Sequence, residues 1–364
     1  MNITEYTGLF RQKEFVEGLP QRPLGDLSNF VVGEMPAILS QIREGSCGVD
    51  TFVQTADRLA LSLSGDTVNP LLAKRSGPGF GGYIATNPHL MIAHLDATML
   101  EAAIVHSGGV APDILVELVN VLSDASDQVQ GITYEAITYA NPGGDMRTFT
   151  LDAQGNHHPA EVGFYQGHPT IDRALGEAAM QIKSVISSFG DSRISVRRDE
   201  ALAYADAIIC QVNTLMQHYR SPELTVPFAE FRPYLASHPT RGLKGPSGAF
   251  SPAIPVLDIL VAGSTLPDFM MEYIRDNFRY FPRQGRVDIQ DALEMSGRQE
   301  SLTDVLKQHS EIGALVERIR SQLRGFRGHH RGAVGAQLKD VMVGTAGEQI
   351  GEFLGERMKV HHAS

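Results

Sequence analysis

Residues 312–341 read IGALVERIRSQLRGFRGHHRGAVGAQLKDV. Ile312, Leu315, Val316, Ile319, Leu323 and Phe326 recur at steps of three and four, the spacing of one buried helix face. Continued, that stripe reaches His330, then Val334, Gln337 or Leu338, and Val341. His329 falls about 100° round the helix, so the two adjacent histidines are not equivalent. Gly325, Gly328, Gly332 and Gly335 crowd the same turns. Each costs a helix interior about 1 kcal/mol relative to Ala, so four together need a reason, and a flat, bulky ligand approaching the backbone would supply one.

Arg327 places a cation one turn before His330. An imidazole, a neighbouring guanidinium and a glycine-thinned face suit a haem, with iron on His330 and an acidic propionate on Arg327. The competing reading of His330 is a satisfied core histidine. Downstream, Gly344-Thr345-Ala346-Gly347 forms a small-residue loop that runs into an amphipathic segment from Glu348 to Met358. Beside a cofactor such a loop offers a hydroxyl and backbone N–H groups to a bound molecule. Asp258 lies in the apolar run Ile254-Pro255-Val256-Leu257-Asp258-Ile259-Leu260-Val261, where an unpaired carboxylate is costly to bury. It needs a partner, and Arg327 or the second ring nitrogen of His330 would serve, unless Asp258 faces water. Hydrogen-bonded to the imidazole, it would orient that axial ring and raise its donor strength.

With 364 residues, the chain buries a sizeable core and holds two domains or one large one. At 42% hydrophobic and 20% charged residues it reads as globular. A net charge of -11 disfavours nucleic acid as the main partner. Cys47 and Cys210 make no disulfide framework, and Cys210, in the run Ile208-Ile209-Cys210, is expected to be a small buried thiol. The absence of CxxC and CxxCH argues against thiolate zinc and c-type haem attachment. Met1 to Phe15 carries no apolar signal core, and no apolar run reaches a membrane-spanning length, so a cytoplasmic location without membrane contact is expected.

Helical periodicity dominates, clearest over Asp50–Ser64, Leu90–His106, Asp113–Leu122, Asp172–Phe189, Arg198–Tyr219, Pro267–Phe281 and the long Glu300–Val341 segment. Residues 131–151 differ, being rich in Thr, Tyr, Ile and Phe around Asn141-Pro142-Gly143-Gly144-Asp145, and read as a short β-hairpin near the domain junction. The fold expected is mainly α. A small N-terminal helical domain spans 1–130, and a large helical haem-binding domain spans 131–364.

Other signals are weaker. Gly77-Pro78-Gly79-Phe80-Gly81-Gly82 matches a dinucleotide fingerprint without the strand and helix that motif needs, and reads as a loop. His89, His94 and His106 share no helix face and read as structural. His157-His158 and His361-His362 lie in polar segments and look incidental. Arg318, Arg320, Arg324, Arg327 and Arg331 form a basic run without an aromatic platform for RNA, more in keeping with a solvated face from which one or two arginines turn toward a propionate.

Together these residues resemble the indoleamine 2,3-dioxygenase superfamily of histidine-ligated haem proteins, most closely its monodechloroaminopyrrolnitrin synthase branch. The similarity runs in order from Ile132 to Met358. Thr138-Tyr139-Ala140-Asn141-Pro142 resembles a Thr-x-x-Asn-Pro segment. Phe228-Ala229-Glu230-Phe231-Arg232-Pro233-Tyr234 resembles Phe-Ala-x-x-x-Arg-Pro-Tyr, one residue shorter here. Gly245-Pro246-Ser247-Gly248-Ala249, with the helix around Asp258, resembles the small-residue loop and apolar helix of the dioxygenases. Arg327-Gly328-His329-His330 matches Arg-x-x-His, whose histidine is the proximal ligand. Gly344-Thr345-Ala346-Gly347 resembles the closing Gly-Thr-Gly-Gly loop, with Ala346 in place of a glycine.

The resemblance implies haem b, with His330 as axial ligand and Arg327 and Asp258 beside it. It also implies O2 and a small aromatic amino-acid-like substrate, tryptophan or a relative. Arg232 would hold the substrate carboxylate, a bidentate task for guanidinium, and Ser247, Gly248, Gly344, Thr345, Ala346 and Gly347 would line the distal pocket. In the dioxygenases, ferrous iron binds O2 and both oxygens enter the indole; in the pyrrolnitrin branch the indole ring is rearranged. Neither route needs a protein base. The function expected is haem-dependent oxidation of tryptophan or a tryptophan-like metabolite by a monomer or homodimer. The alternative is a non-catalytic haem-binding or sensing protein of the same fold.

Overall fold

A computed structural model of the chain describes residues 21–63, 65–73, 88–190, 196–218, 228–337 and 349–361. Through these the architecture is helical. The first part carries α1 (Asp26–Gly33), α2 (Met35–Arg43), α3 (Val49–Leu61), α4 (Gly65–Ala73), α5 (Pro88–His106) and α6 (Asp113–Ser126). A short α7 (Tyr134–Tyr139) leads to α8 (Pro159–Gly190) and α9 (Arg198–His218). Then come α10 (Ala253–Ala262), α11 (Asp268–Asn277), α12 (Arg283–Gly297), α13 (Leu302–Leu306), α14 (Gly313–Gln337) and α15 (Ile350–Arg357).

Two apolar clusters organise the chain. The first gathers α1 to α6 around α5, on which every residue from Leu90 to Ile104 is buried. A helix buried on all sides needs partners for its polar groups. The Asp96 carboxylate accepts Arg147 Nε at 2.7 Å and Ser28 Oγ at 2.6 Å, all three residues being fully buried. The second cluster is built on α8, α9, α10 and α14, with α9 packed against both α8 and α14, and α10 against α8 and α12. The clusters are not sequential blocks. Ile132, Ile137, Phe149, Tyr165 and the stretch from Phe228 to Leu235 join the first, whereas Tyr134 and Tyr139 join the second.

The hairpin expected over 131–151 is not what forms there; the residues from Tyr134 to Tyr139 are helical, and the described residues of this stretch hold no strand. Thr133 caps the helix, its Oγ1 accepting from Ala136 N at 3.1 Å. The Tyr and Thr enrichment reflects burial rather than pairing. Tyr134 and Tyr139 both donate their hydroxyls to Asp172 on α8, the former at 2.8 Å. Asn141 then closes the following loop, accepting from Arg147 N at 2.8 Å and donating to Arg147 O at 3.0 Å. Leu151 and His157 form an isolated antiparallel bridge.

Helical expectations fare better. Six of the periodic segments coincide with α3, α5, α6, α8, α9 and α11 within a few residues at the described ends, although α8 begins well before Asp172. The segment from Glu300 is interrupted: α13 ends at Leu306, a 3-10 turn spans Ser310–Ile312, and α14 then runs from Gly313. Cys210 is exposed, not buried; Ile208 and Ile209 take the inward face of α9 and the next residue turns out. No described helix is long and apolar enough to cross a membrane.

Candidate functional site

α14 presents the stripe as the spacing requires. Val316, Ile319, Leu323 and Phe326 are buried, as is Ile312 just before the helix. His330 follows at the end of this stripe, its ring nearly parallel to that of Phe326 one turn back, with centroids 6.1 Å apart. Among the described residues His330 has no hydrogen-bond partner. Burial, then the charges of Arg357 and His168, push it down to about 4. It is therefore a neutral imidazole at pH 7, the form that coordinates a metal. A Cβ at Gly328 or Gly335 would meet nothing within 4 Å, whereas one at Gly325 would lie 3.2 Å from Asn213 Nδ2 on α9. Gly325 thus serves helix packing, while a side chain at Gly328 or Gly335 would meet open space.

Asp258 is fully buried on α10, and of the two partners weighed for it the fold supplies Arg327, not His330. Arg327 Nη2 and His361 Nε2 both donate to Asp258 Oδ1, the latter at 3.0 Å. Burial would raise this carboxyl, but Arg327, His361 and Arg357 outweigh it and hold the group well below the usual carboxylate range. His361 is correspondingly buried rather than incidental, and Arg324 Nη1 donates to its carbonyl at 2.6 Å. Arg357, also buried, lies with its guanidinium carbon 5.2 Å from the Phe353 ring centre and 5.6 Å from that of Tyr273. The residues around His330 therefore include two cations, Arg327, paired with Asp258, and Arg357 on α15.

His168, on α8, escaped the sequence reading. Its Nδ1 lies 2.7 Å from Phe164 O, and a carbonyl only accepts, so Nδ1 carries the proton and Nε2 the lone pair. Burial lowers its pKa, against the Phe164 bond and Asp172. Phe164 and Tyr134 hold the ring edge-on, at centroid distances of 4.5 and 5.7 Å. Pro169 follows directly and removes the N–H that would close the helix onto Tyr165 O. The signal available in sequence was this His-Pro pair inside an otherwise helical stretch.

Two of the segments expected to bind substrate converge on His168. Phe228 and Phe231 pack on Phe164 at 5.3 and 5.7 Å, which brings the chain just before Arg232 to the ring that clamps His168. Arg232 itself opens a 3-10 turn, Arg232–Leu235, seated on α5. From the other direction, a Cβ at Gly248 would lie 3.0 Å from His168 Nε2. Ser247 Oγ accepts from Ala249 N at 3.2 Å and starts the turn that sets Gly248 there. The two segments are tied at Gly245, where a Cβ would lie 2.0 Å from Leu235 O; only glycine permits that approach. Gly344, Thr345, Ala346 and Gly347 lie outside the described residues, as do Gly77 to Gly82, Leu338, Val341 and His362.

Elsewhere His94 is structural, as expected. It is fully buried, its Nε2 lies 3.2 Å from Val129 O, and burial pushes it down to about 4. Among the described residues no group of three or more His, Cys, Asp or Glu side chains is placed to hold a metal ion. A haem brings its own four nitrogens and asks the protein for an axial group only. No protein-family model matches the chain, and no curated protein matches it.

Proposed function

We propose that the chain binds haem b through His330 and oxidises tryptophan or a tryptophan-like aromatic metabolite with O2. One observation carries the reading: segments far apart in sequence, around Phe164–His168, Phe228–Arg232 and Ser247–Gly248, meet at one place, and the charge of His168 there would bear on His330. A bound haem supplies a site at iron that takes up and activates O2.

The chain's own residues do the rest. His330 gives a neutral nitrogen toward the C-terminal end of α14. Asp258 pairs with Arg327 and braces α14 against α10, and Arg327 together with Arg357 brings positive charge beside His330 for an acidic propionate. Arg232 takes the carboxylate of the substrate, and Ser247 and Gly248 border its ring. The aromatic wall of Phe164, Phe228 and Phe231 excludes water on that side.

Turnover tests the proposal. Ferrous, haem-supplied protein given O2 and tryptophan analogues is expected to consume both. Arg232→Ala is expected to raise KM about tenfold or more for substrates with a carboxylate, the scale of a lost charge-assisted hydrogen bond, while the haem spectrum persists. Loss of the haem in that variant would refute the assignment. Stable haem with no substrate consumed would leave a haem-binding or sensing protein.

A further inference from the structure

The C-terminal half of α5 carries a buried polar cluster of its own. Glu101 is 2% exposed, and Arg241 donates from Nη2 to its Oε1 at 2.5 Å. Arg241 Nη1 also donates to Asn120 Oδ1 on α6 at 2.9 Å, so the guanidinium spans both helices. His238, 8% exposed, brings Nε2 to 3.7 Å from the same Oε1, too far for a hydrogen bond. Glu101 Oε2 and His238 Nε2 are both buried with no hydrogen-bond partner among the described residues. Leaving such groups unmade is costly, and a closer approach would remove the cost. His238 and Arg241 belong to one tight turn, in which His238 N donates to Leu243 O at 2.9 Å and Gly242 takes a φ of 60°. The turn runs from the Arg232–Leu235 segment to Ser247, the two ends that meet at Gly245.

Charge decides whether the gap closes. A protonated imidazole donates from both nitrogens, to Thr240 Oγ1, which lies 3.2 Å from Nδ1, and to the carboxylate. Charge-assisted N–H···O bonds settle at about 2.7–2.9 Å, so closure is a movement of roughly 1 Å. The charged groups around the ring permit it. Arg241 engages Glu101 through Oε1 and leaves Oε2 for a second donor. His106, also on α5, is lowered by burial and then by the charge of His238, so it stays neutral when His238 gains its proton. His94, two turns before Glu101, is pushed down to about 4 and is neutral as well. We propose that His238, Glu101 and Arg241 form a proton-operated latch, in which protonation of His238 fastens the turn 236–247 onto α5. Because that turn links Arg232 to Ser247, the latch sets how firmly the two segments are placed relative to each other. It goes beyond the haem reading and does not depend on it.

The test is amide hydrogen exchange of residues 236–247 in the full chain, stepped from about pH 8 to about pH 5.5 and corrected for intrinsic rates. Wild-type protection is expected to rise about tenfold as pH falls, the scale of one charge-assisted hydrogen bond. That sign is opposite to the acid response of a buried neutral histidine such as His94. His238→Gln is expected to abolish the rise, and His106→Gln to keep it. In Glu101→Gln, the Cε1–H NMR signal of His238 is expected to titrate at a lower pH than in the wild type. Protection that stays flat or falls toward acid in the wild type overturns the latch, as does a rise that survives His238→Gln or is lost in His106→Gln. A His238 titration unmoved by Glu101→Gln overturns it too, since only a carboxylate that engages the ring shifts that midpoint.

Discussion

Arg327 and Asp258 form a buried ion pair with side-chain exposures of 6% and 0%, joining α14 to α10 directly beside His330. The pair gives Arg327 a partner within the protein and Asp258 its buried counter-charge. Removing one member strands the other, a cost of about 3–5 kcal/mol. Asp258→Ala is therefore expected to lower unfolding stability by that amount, while Asp258→Leu combined with Arg327→Met recovers most of it. Denaturant titration measures both; a loss under about 1 kcal/mol in the single variant would show the pair to be dispensable.

Gly245 gives a second prediction. A Cβ there would lie 2.0 Å from Leu235 O and 2.8 Å from Ala236 O, and backbone does not yield as a flexible side chain does. Gly245→Ala is expected to cost about 1–3 kcal/mol, the scale of overpacking. It should also part the Arg232 turn from the Ser247 loop. Thermal unfolding reads the first effect, and limited proteolysis around residues 235–248 the second. An unchanged melting temperature would contradict the close approach.

Acid sensitivity follows from His94, whose pKa burial lowers to about 4. In the unfolded chain it titrates near 6.5. Its neutral form is favoured by folding, so its stability contribution is fully present above about pH 6.5 and is lost as pH falls toward 4, up to about 3 kcal/mol for this fully buried group. His94→Gln is expected to flatten the stability profile across that window, measured by denaturant midpoints at stepped pH. A variant with the wild-type slope would place the acid response elsewhere.

What could be read in the sequence was whatever depends on local periodicity. The three- and four-residue steps of α14 marked its buried face from Val316 to Phe326, beyond which His329 and His330 are both half-buried, and the buried run around Asp258 announced that this carboxylate needed a partner. What could not be read depends on contacts across the chain. Tyr134 and Tyr139 look like strand residues until Asp172, more than thirty positions on, receives their hydroxyls. His361 looks like tail until it reaches Asp258, 103 positions back. His168 shows no period at all, because its role comes from a carbonyl one turn away and a glycine on another segment.

Haem binding by His330 is the claim on which the functional reading depends. Titration of the purified chain with ferric protoporphyrin IX, followed at the Soret band, tests it directly. The account predicts saturable one-to-one binding with a Soret band that is lost in His330→Ala and retained in His329→Ala. A chain that shows no such band, or one whose band survives His330→Ala unchanged, contradicts it.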